Sequence, residues 1–136
     1  IIGDDRSMLN TYLLSLVLFY SAQNAIDPNL VLAVMKNESN YQVNAMSSTG
    51  DVGLLQLNVR SFPGYTIQEL LDPETNIKLG TKYLAQLRRQ CKMPNDTWIV
   101  SFNTGCSKAK TFKYPHLHSY YKKYKRQAAK DNLILH

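Results

Sequence analysis

The chain has 136 residues, 44% of them hydrophobic, which is enough to bury the core of one domain. Its six glycines and five prolines exclude a collagen-like or low-complexity chain. Its longest apolar run, residues 13–20 with the single interruption Ser15, is shorter than the ~20 residues of a membrane-spanning helix. The net charge of +6 comes from residues 107–136, which hold eight Lys and Arg and one acidic residue, Asp131. We therefore expect one domain, residues 1–136, with a basic C-terminal helix that is either a solvated face or a contact for an anionic partner.

The first predicted helix covers about residues 7–23. Apolar side chains recur along it at helical spacing, and Ser7 is suited to cap its first turn. The apolar positions are Leu9, Leu13, Leu16, Val17 and Tyr20. They predict a helix with one face in the core.

A second helix is predicted from residue 27, because Asp27 is a good N-cap and Pro28 fits the first helical position. Its buried stripe consists of Leu30, Val31, Val34 and Met35. Glu38 follows this stripe at helical spacing, in the last turn of the helix. The side chain of Glu38 is therefore expected on or beside the apolar face.

A carboxyl group in that position has chemical consequences. Burial makes the carboxylate costly, so the pKa of Glu38 would rise and the group would stay protonated near neutral pH. A protonated carboxyl can serve as a general acid. The alternative is a glutamate that turns to solvent as the helix ends, and periodicity alone favours that alternative.

Polar turn residues fill positions 44–53 and predict turns or a short hairpin. Gln56 follows among leucines. Because an amide in apolar surroundings requires hydrogen-bond partners, Gln56 is expected to bond either the backbone or a ligand.

Three more helices are predicted towards the C-terminus. The third starts at residues 72–73 (Asp-Pro) and packs closely against a neighbour at Gly80. The fourth runs from residues 94–96 (Pro-Asn-Asp) to a stop at Gly105, and the last starts at Pro115.

Two cysteines, Cys91 and Cys106, allow either one disulfide bond or two buried thiols. A bond would stabilise the fold by about 3 kcal/mol according to the chain-entropy model. No Cys and His spacing matches a zinc site, and no metal ion or other cofactor is expected.

Several segments carry motif-like sequences in a definite order. They are residues 26–34 (Ile-Asp-Pro-Asn-Leu-Val-Leu-Ala-Val), 37–41 (Asn-Glu-Ser-Asn-Tyr), 52–57 (Val-Gly-Leu-Leu-Gln-Leu), 71–77 (Leu-Asp-Pro-Glu-Thr-Asn-Ile) and 101–105 (Ser-Phe-Asn-Thr-Gly). Each is weak alone, but together they resemble the catalytic domain of the soluble lytic transglycosylases, which is similar to goose-type lysozymes. The chain departs from that family at Leu55, where Met is usual, and at Phe102, where Tyr is usual.

The resemblance implies a mainly α, lysozyme-like α+β fold, with a small irregular or β patch after the catalytic helix. It also implies that Glu38 is the acid and base that cleaves the β-1,4 bond between N-acetylmuramic acid and N-acetylglucosamine. The product would carry a 1,6-anhydromuramic end, because the C6 hydroxyl of the sugar attacks in place of water.

The substrate-binding residues implied by motif position are Ser39, Gly53, Leu54, Gln56, Asn103 and Tyr120. Ser39 would orient Glu38 or bind substrate, or else cap the helix end. Gln56 and Asn103 would contact the sugars, or else bond the backbone. Tyr120 would donate a hydrogen bond to Glu38, with Tyr121 or simple core packing as alternatives. The backbone of Gly53 and Leu54 would line the groove.

Three rival functions have different signatures. A goose-type muramidase would hydrolyse the same bond if Asp51 faced Glu38 and positioned a water, although the resemblance favours a solvated Asp51. A non-catalytic wall-binding or virion component would keep the fold without cleavage. Nucleic-acid binding through the basic tail and its tyrosines is not expected, since no recognised motif accompanies it.

The expected partner is the glycan strand of peptidoglycan, and the protein is expected to act as a monomer. The Lys-rich C-terminus is a candidate contact for anionic envelope polymers. The expected location is the periplasm, the cell exterior or the cell wall after delivery by a phage.

Overall fold

The computed structural model describes the backbone of residues 9–135 and the side chains of residues 9–130. Its α-helices are α1 (Thr11–Gln23), α2 (Pro28–Ser39), α3 (Ile67–Leu71), α4 (Pro73–Gln90), α5 (Val100–Thr104), α6 (Cys106–Ala109) and α7 (Ser119–Leu135). Strands β1 (Asp51–Val52) and β2 (Leu57–Asn58) pair antiparallel, and single 3-10 turns cover Val59–Ser61, Thr97–Ile99 and Pro115–Leu117. The predicted mainly α fold with a small β patch after the second helix is confirmed.

Helix α1 begins later than the sequence pattern indicated. Asn10 has extended backbone, and its Oδ1 accepts a hydrogen bond from Leu13 N at 2.9 Å, so Asn10 is the N-cap. The predicted start near residue 7 is therefore wrong by about one turn, and Ser7 itself lies outside the described residues. Asn10 is a suitable N-cap that lies nearer the apolar stripe, and the helix begins after it.

Helix α2 is the centre of the core and forms where it was predicted. Asp27 Oδ1 accepts from Asn29 N at 2.9 Å, and the helix ends before its C-cap Asn40, whose backbone is left-handed with a φ of 53°. All six residues from 30 to 35 are buried, so α2 is surrounded by other elements along its middle.

Helix α4 packs against the β patch. Asp72 caps it as predicted, since Asp72 Oδ2 accepts from Thr75 N at 3.0 Å. A Cβ atom at Gly80 would lie 3.2 Å from Leu55 Cβ, and closer still to Leu55 Cδ1. The predicted close packing at Gly80 is confirmed, and its neighbour is the loop between β1 and β2.

The fourth predicted helix is shorter than expected. Asn95 has a left-handed backbone with a φ of 57°, which interrupts any helix starting at residue 94. A 3-10 turn, Thr97–Ile99, leads into α5, and Gly105 with a φ of 85° ends α5 as predicted.

The last helix also begins later than predicted. Pro115 starts only the 3-10 turn Pro115–Leu117, because His118 is extended, and α7 starts at Ser119. The short helices α3 and α6 were not predicted. Helix α3 is held by a capping box between Thr66 and Glu69.

Helix α7 packs along α2 through its buried tyrosines, Tyr120 and Tyr124. A disulfide bond joins Cys91, at the end of α4, to Cys106, at the start of α6, with the two Cα atoms 5.6 Å apart. Of the two alternatives for the cysteines, the structure contains the bonded one. In residues 9–135, none of the helices combines the length and apolar character needed to cross a bilayer.

Candidate active site

Glu38 lies in the last turn of α2, and its side chain is only partly exposed. Tyr120 Oη donates a hydrogen bond of 2.7 Å to Glu38 Oε2, across 82 residues of sequence. The solvent-facing alternative for Glu38 is therefore wrong. The packing of α7 on α2 covers the helix end, so the side chain does not turn outward there.

The environment of Glu38 favours the protonated carboxyl. Burial is the largest influence on the pKa of Glu38 and raises it to about 7. The hydrogen bond from Tyr120 acts in the opposite direction and lowers this pKa. The negative charge of Asp51 raises it, and the positive charge of Lys123 lowers it. The direction agrees with the geometry, because a carboxylate loses solvation inside a packed helix end. A group with this pKa can donate a proton and later accept one near neutral pH.

Tyr120 is buried, with 9% of its surface exposed. Burial and the adjacent Glu38 raise the pKa of the Tyr120 phenol well above its usual value. Tyr120 therefore stays a neutral hydrogen-bond donor, which holds the Glu38 carboxyl in one orientation.

Ser39 is adjacent to Glu38 in sequence but bonds elsewhere. Its Oγ donates to Met35 O at 3.1 Å, one turn back along α2, and the residue is 8% exposed. This is the helix-end alternative for Ser39 rather than a contact with Glu38.

Gln56 follows the Gly53 turn and has a left-handed φ of 49°. Its Nε2 donates to Ala45 O at 3.1 Å and to Gly53 O at 3.0 Å. The amide nitrogen of Gln56 therefore bonds the backbone, as one of the two predicted alternatives stated. In the part of the chain that the structure describes, Gln56 Oε1 makes no hydrogen bond, so this oxygen is available to a ligand donor.

Gly53 and Leu54 are buried rather than displayed on a surface. Gly53 has a φ of 77°, and a Cβ atom there would lie 3.0 Å from Leu70 O. Leu54 is 0% exposed in the hydrophobic core. Leu54 therefore offers no surface to a ligand, and the role of both residues here is to shape the loop that carries Gln56.

Asn76 is a supporting residue to which the sequence analysis gave no role. It is 0% exposed, and its side chain makes three hydrogen bonds to the loop and its neighbours. Leu55 N donates to Asn76 Oδ1 at 2.8 Å, while Asn76 Nδ2 donates to Val52 O at 2.9 Å and to Leu70 O at 2.8 Å. Asn76 thereby fixes the loop 53–56 to helix α4.

Asp51 is close enough to Glu38 to influence its pKa but is engaged in its own loop. Asp51 Oδ2 accepts from Ser47 Oγ and Thr49 Oγ1, both at 3.1 Å, and Oδ1 accepts from Asn58 Nδ2 at 3.0 Å. Both carboxylate oxygens therefore organise the β patch.

Asn103, at the end of α5, is exposed and makes no side-chain hydrogen bond among residues 9–130. The neighbouring Phe102 ring contacts the Tyr83 ring with centroids 5.7 Å apart, and within residues 9–130 no hydrogen bond joins Asn103 to Glu38. The expected backbone alternative for Asn103 is absent, which leaves its amide available for a ligand.

No group of three or more His, Cys, Asp or Glu side chains within residues 9–130 is arranged to hold a metal ion.

The chain belongs to the family of the Transglycosylase SLT domain, whose model matches residues 15–129. Among solved structures it is similar to the 70 kDa soluble lytic transglycosylase SLT70 of Escherichia coli, with a TM-score of 0.75 and 24% identity over 89% of this chain and 24% of that one. It is also similar to an inactive mutant of the lytic transglycosylase Slt of Pseudomonas aeruginosa, with a TM-score of 0.74 and 19% identity over the same shares.

Curated relatives agree with this family. The membrane-bound lytic murein transglycosylase F of Ectopseudomonas mendocina is 34% identical over 88 residues, 60% of this chain and 18% of the relative. The soluble lytic murein transglycosylase of Escherichia coli K12 is 29% identical over 103 residues, 68% of this chain and 16% of the relative. The chain thus spans less than a fifth of the length of these relatives.

Proposed function

We propose that this domain is a peptidoglycan lytic transglycosylase and that Glu38 is its acid and base. The observation that carries the proposal is the Glu38 carboxyl, which is partly buried and accepts a hydrogen bond from Tyr120. This burial raises the pKa of Glu38 to about 7. The relatives are named lytic murein transglycosylases, which supports a peptidoglycan strand as the substrate.

In the first step, protonated Glu38 donates its proton to the glycosidic oxygen between N-acetylmuramic acid and N-acetylglucosamine. The bond from the muramic C1 to that oxygen breaks, and positive charge develops on the muramic ring. In the second step, the Glu38 carboxylate accepts the proton of the muramic C6 hydroxyl, whose oxygen bonds to C1. The 1,6-anhydro product forms and Glu38 returns to its protonated state.

Asp51 supports transglycosylation over hydrolysis. An inverting or retaining hydrolase uses a second carboxylate to activate water or to attack the sugar. Both oxygens of Asp51 accept hydrogen bonds from Ser47, Thr49 and Asn58, which supports a role for this carboxylate in holding the β patch rather than in either task.

Gln56 and Asn103 are proposed to bind the sugars, through an amide oxygen in the first case and a whole amide in the second. Within the described part of the protein, neither the Gln56 oxygen nor the Asn103 amide has a hydrogen-bond partner. The acetamido groups and hydroxyls of the glycan can donate hydrogen bonds to these groups and accept hydrogen bonds from the Asn103 amide. Ser39, Gly53 and Leu54 are proposed to support the site by shaping the backbone around it.

The proposed setting is the cell wall, where the strand is found. A disulfide bond between Cys91 and Cys106 is consistent with an oxidising compartment. The glycan strand is the proposed partner.

The test is digestion of purified peptidoglycan, with mass analysis of the fragments. Wild-type protein is expected to release fragments with anhydro ends, lighter by one water than reducing ends. Glu38→Gln is expected to release none. Glu69→Gln is a matched control, because Glu69 is exposed in a capping box where Gln serves equally well.

Two results would contradict the proposal. Fragments with reducing ends alone would identify a muramidase. Equal release by wild type and Glu38→Gln, with Glu69→Gln unchanged, would show that Glu38 is not the acid and that the domain acts otherwise.

A further inference from the structure

The outer face of helix α7 carries a cluster of cations that the proposed chemistry does not use. Lys122, Lys125 and Arg126 are exposed and follow one another at i, i+3 and i+4, so they share one face of the helix. Together with His116 and Tyr121 they line a cavity of about 450 Å³. We call these five residues the basic face.

The charge of the basic face is not balanced by nearby acids in the sequence. Residues 107–136 hold eight Lys and Arg against one acidic residue, Asp131, and among residues 9–130 the side chains of Lys122, Lys125 and Arg126 make no ion pair. Like charges one helical turn apart repel each other, so the isolated protein carries a small energetic cost there. An anionic partner would remove that cost and gain favourable Coulomb energy.

Two exposed apolar residues lie on the turn that contributes His116. Tyr114 is 56% exposed and Leu117 is 55% exposed. The Lys113 Nζ lies 5.5 Å from the centroid of the Tyr114 ring. This combination of cations, a tyrosine and a leucine is typical of surfaces that meet the headgroup region of a bilayer.

A polyanion in water offers no partner for the exposed Leu117, whereas a bilayer interface does. Of the tyrosines in this segment, Tyr120 and Tyr124 are 9% and 4% exposed and cannot stack on bases, which leaves fewer rings for a nucleic acid to stack on. The combined surface therefore fits an anionic membrane better than a strand of phosphates.

We propose that the basic face, with Tyr114 and Leu117, docks the domain on an anionic phospholipid membrane. Lys122, Lys125 and Arg126 contact the phosphate headgroups, Tyr114 lies at headgroup level and Leu117 enters the acyl boundary. Tyr120 and Tyr124, on the opposite face of α7, stay packed on α2, so docking needs no change around Glu38.

The experiment is sedimentation of the whole chain with vesicles of phosphatidylcholine containing about one third phosphatidylglycerol, compared with pure phosphatidylcholine. Wild type is expected to bind the anionic vesicles at least about tenfold more tightly than the neutral ones. A triple variant, Lys122→Glu, Lys125→Glu and Arg126→Glu, is expected to lose that preference.

The matched control reverses three exposed cations elsewhere, in Lys78→Glu, Arg89→Glu and Lys92→Glu. It has the same net charge as the first triple variant and is expected to keep most of the binding. A second variant, Leu117→Ser with Tyr114→Ser, keeps all the charges and is expected to weaken binding several-fold.

Equal loss in the two triple variants would overturn the proposal, since net charge alone would then explain binding. Retention of full affinity by the Tyr114 and Leu117 variant, together with equal affinity for a soluble polyphosphate, would overturn it in favour of a phosphate polymer. Peptidoglycan digestion by the first triple variant separates this proposal from the enzymatic one. Its fragments are expected to match those of wild type, because Lys123 and Glu38 are unchanged.

Discussion

Two regions near the candidate site differ in how their polar groups are satisfied. In the loop 51–58, Asp51, Asn58 and the Gln56 amide nitrogen all bond within the protein, and buried Asn76 holds the loop to α4. At the end of α5, Asn103 is exposed and unbonded among the described residues. The difference separates residues that build the site from residues that are free to bind a ligand.

Asn76→Ala is expected to detach the loop 51–58 from α4 and to cause the largest loss of stability. Three hydrogen bonds to buried backbone groups disappear, and Leu55 N, Val52 O and Leu70 O are left without this partner. We expect the free energy of unfolding to fall by about 3–4 kcal/mol, measured by urea denaturation.

Asn103→Ala is the control for that measurement. Its side chain is exposed and unbonded, so stability should change by less than about 0.5 kcal/mol. A loss of stability as large as that of Asn76→Ala would remove the distinction between the two regions.

The second prediction tests the burial of Glu38 through the pH dependence of protein stability. The pKa of Glu38 is raised from 4.5 to about 7 by burial, so the protonated carboxyl stabilises the fold, fully below about pH 4.5 and progressively less as pH rises through 7. Glu38→Gln has no charge to bury. The variant should therefore become more stable than wild type by up to roughly 3 kcal/mol above pH 8, with little difference at pH 4.

Thermal melts of wild type and Glu38→Gln across pH 4–9 check this prediction. Glu69→Gln, at an exposed position, should follow the wild-type curve. A pH-independent difference between wild type and Glu38→Gln would mean that the carboxyl is solvated.

The smallest effect is expected for Tyr120→Phe. The hydrogen bond from Tyr120 lowers the pKa of Glu38 against the larger effect of burial, so its removal should raise that pKa further. The alkaline limb of the pH–activity profile should move to higher pH, and kcat should fall about tenfold because the carboxyl is less well oriented.

Tyr121→Phe is the matched control for Tyr120→Phe, since Tyr121 is partly exposed and, among residues 9–130, makes no hydrogen bond to Glu38. An unchanged pH profile for Tyr120→Phe would show that the phenol serves core packing alone.

Local signals in the sequence predicted the helices that carry Glu38 and support the loop 53–56. The Asp-Pro pairs at 27–28 and 72–73 set the starts of α2 and α4, because each supplies a cap and a residue that needs no hydrogen bond at the first position. The same approach misplaced α5, because the left-handed backbone of Asn95 is not visible in composition.

The contacts of the site depended on information beyond local pattern. Periodicity alone favoured a solvent-facing Glu38, and the partner Tyr120, 82 residues away, was expected only from the family resemblance. Asn76 had an overlooked signal, since it precedes Gly80 and Leu84 at spacings of four within an otherwise apolar stripe. A polar residue in such a stripe indicates a buried hydrogen-bonding role.

The pairing of Glu38 with Tyr120 also has a consequence for synthesis on the ribosome. Translation delivers α2 long before α7, so a nascent or prematurely terminated chain contains the carboxyl without the phenol that orients it. Translation through Tyr120 is therefore required before the Glu38 carboxyl can take this orientation, and fragments ending before residue 119 would lack the hydrogen bond.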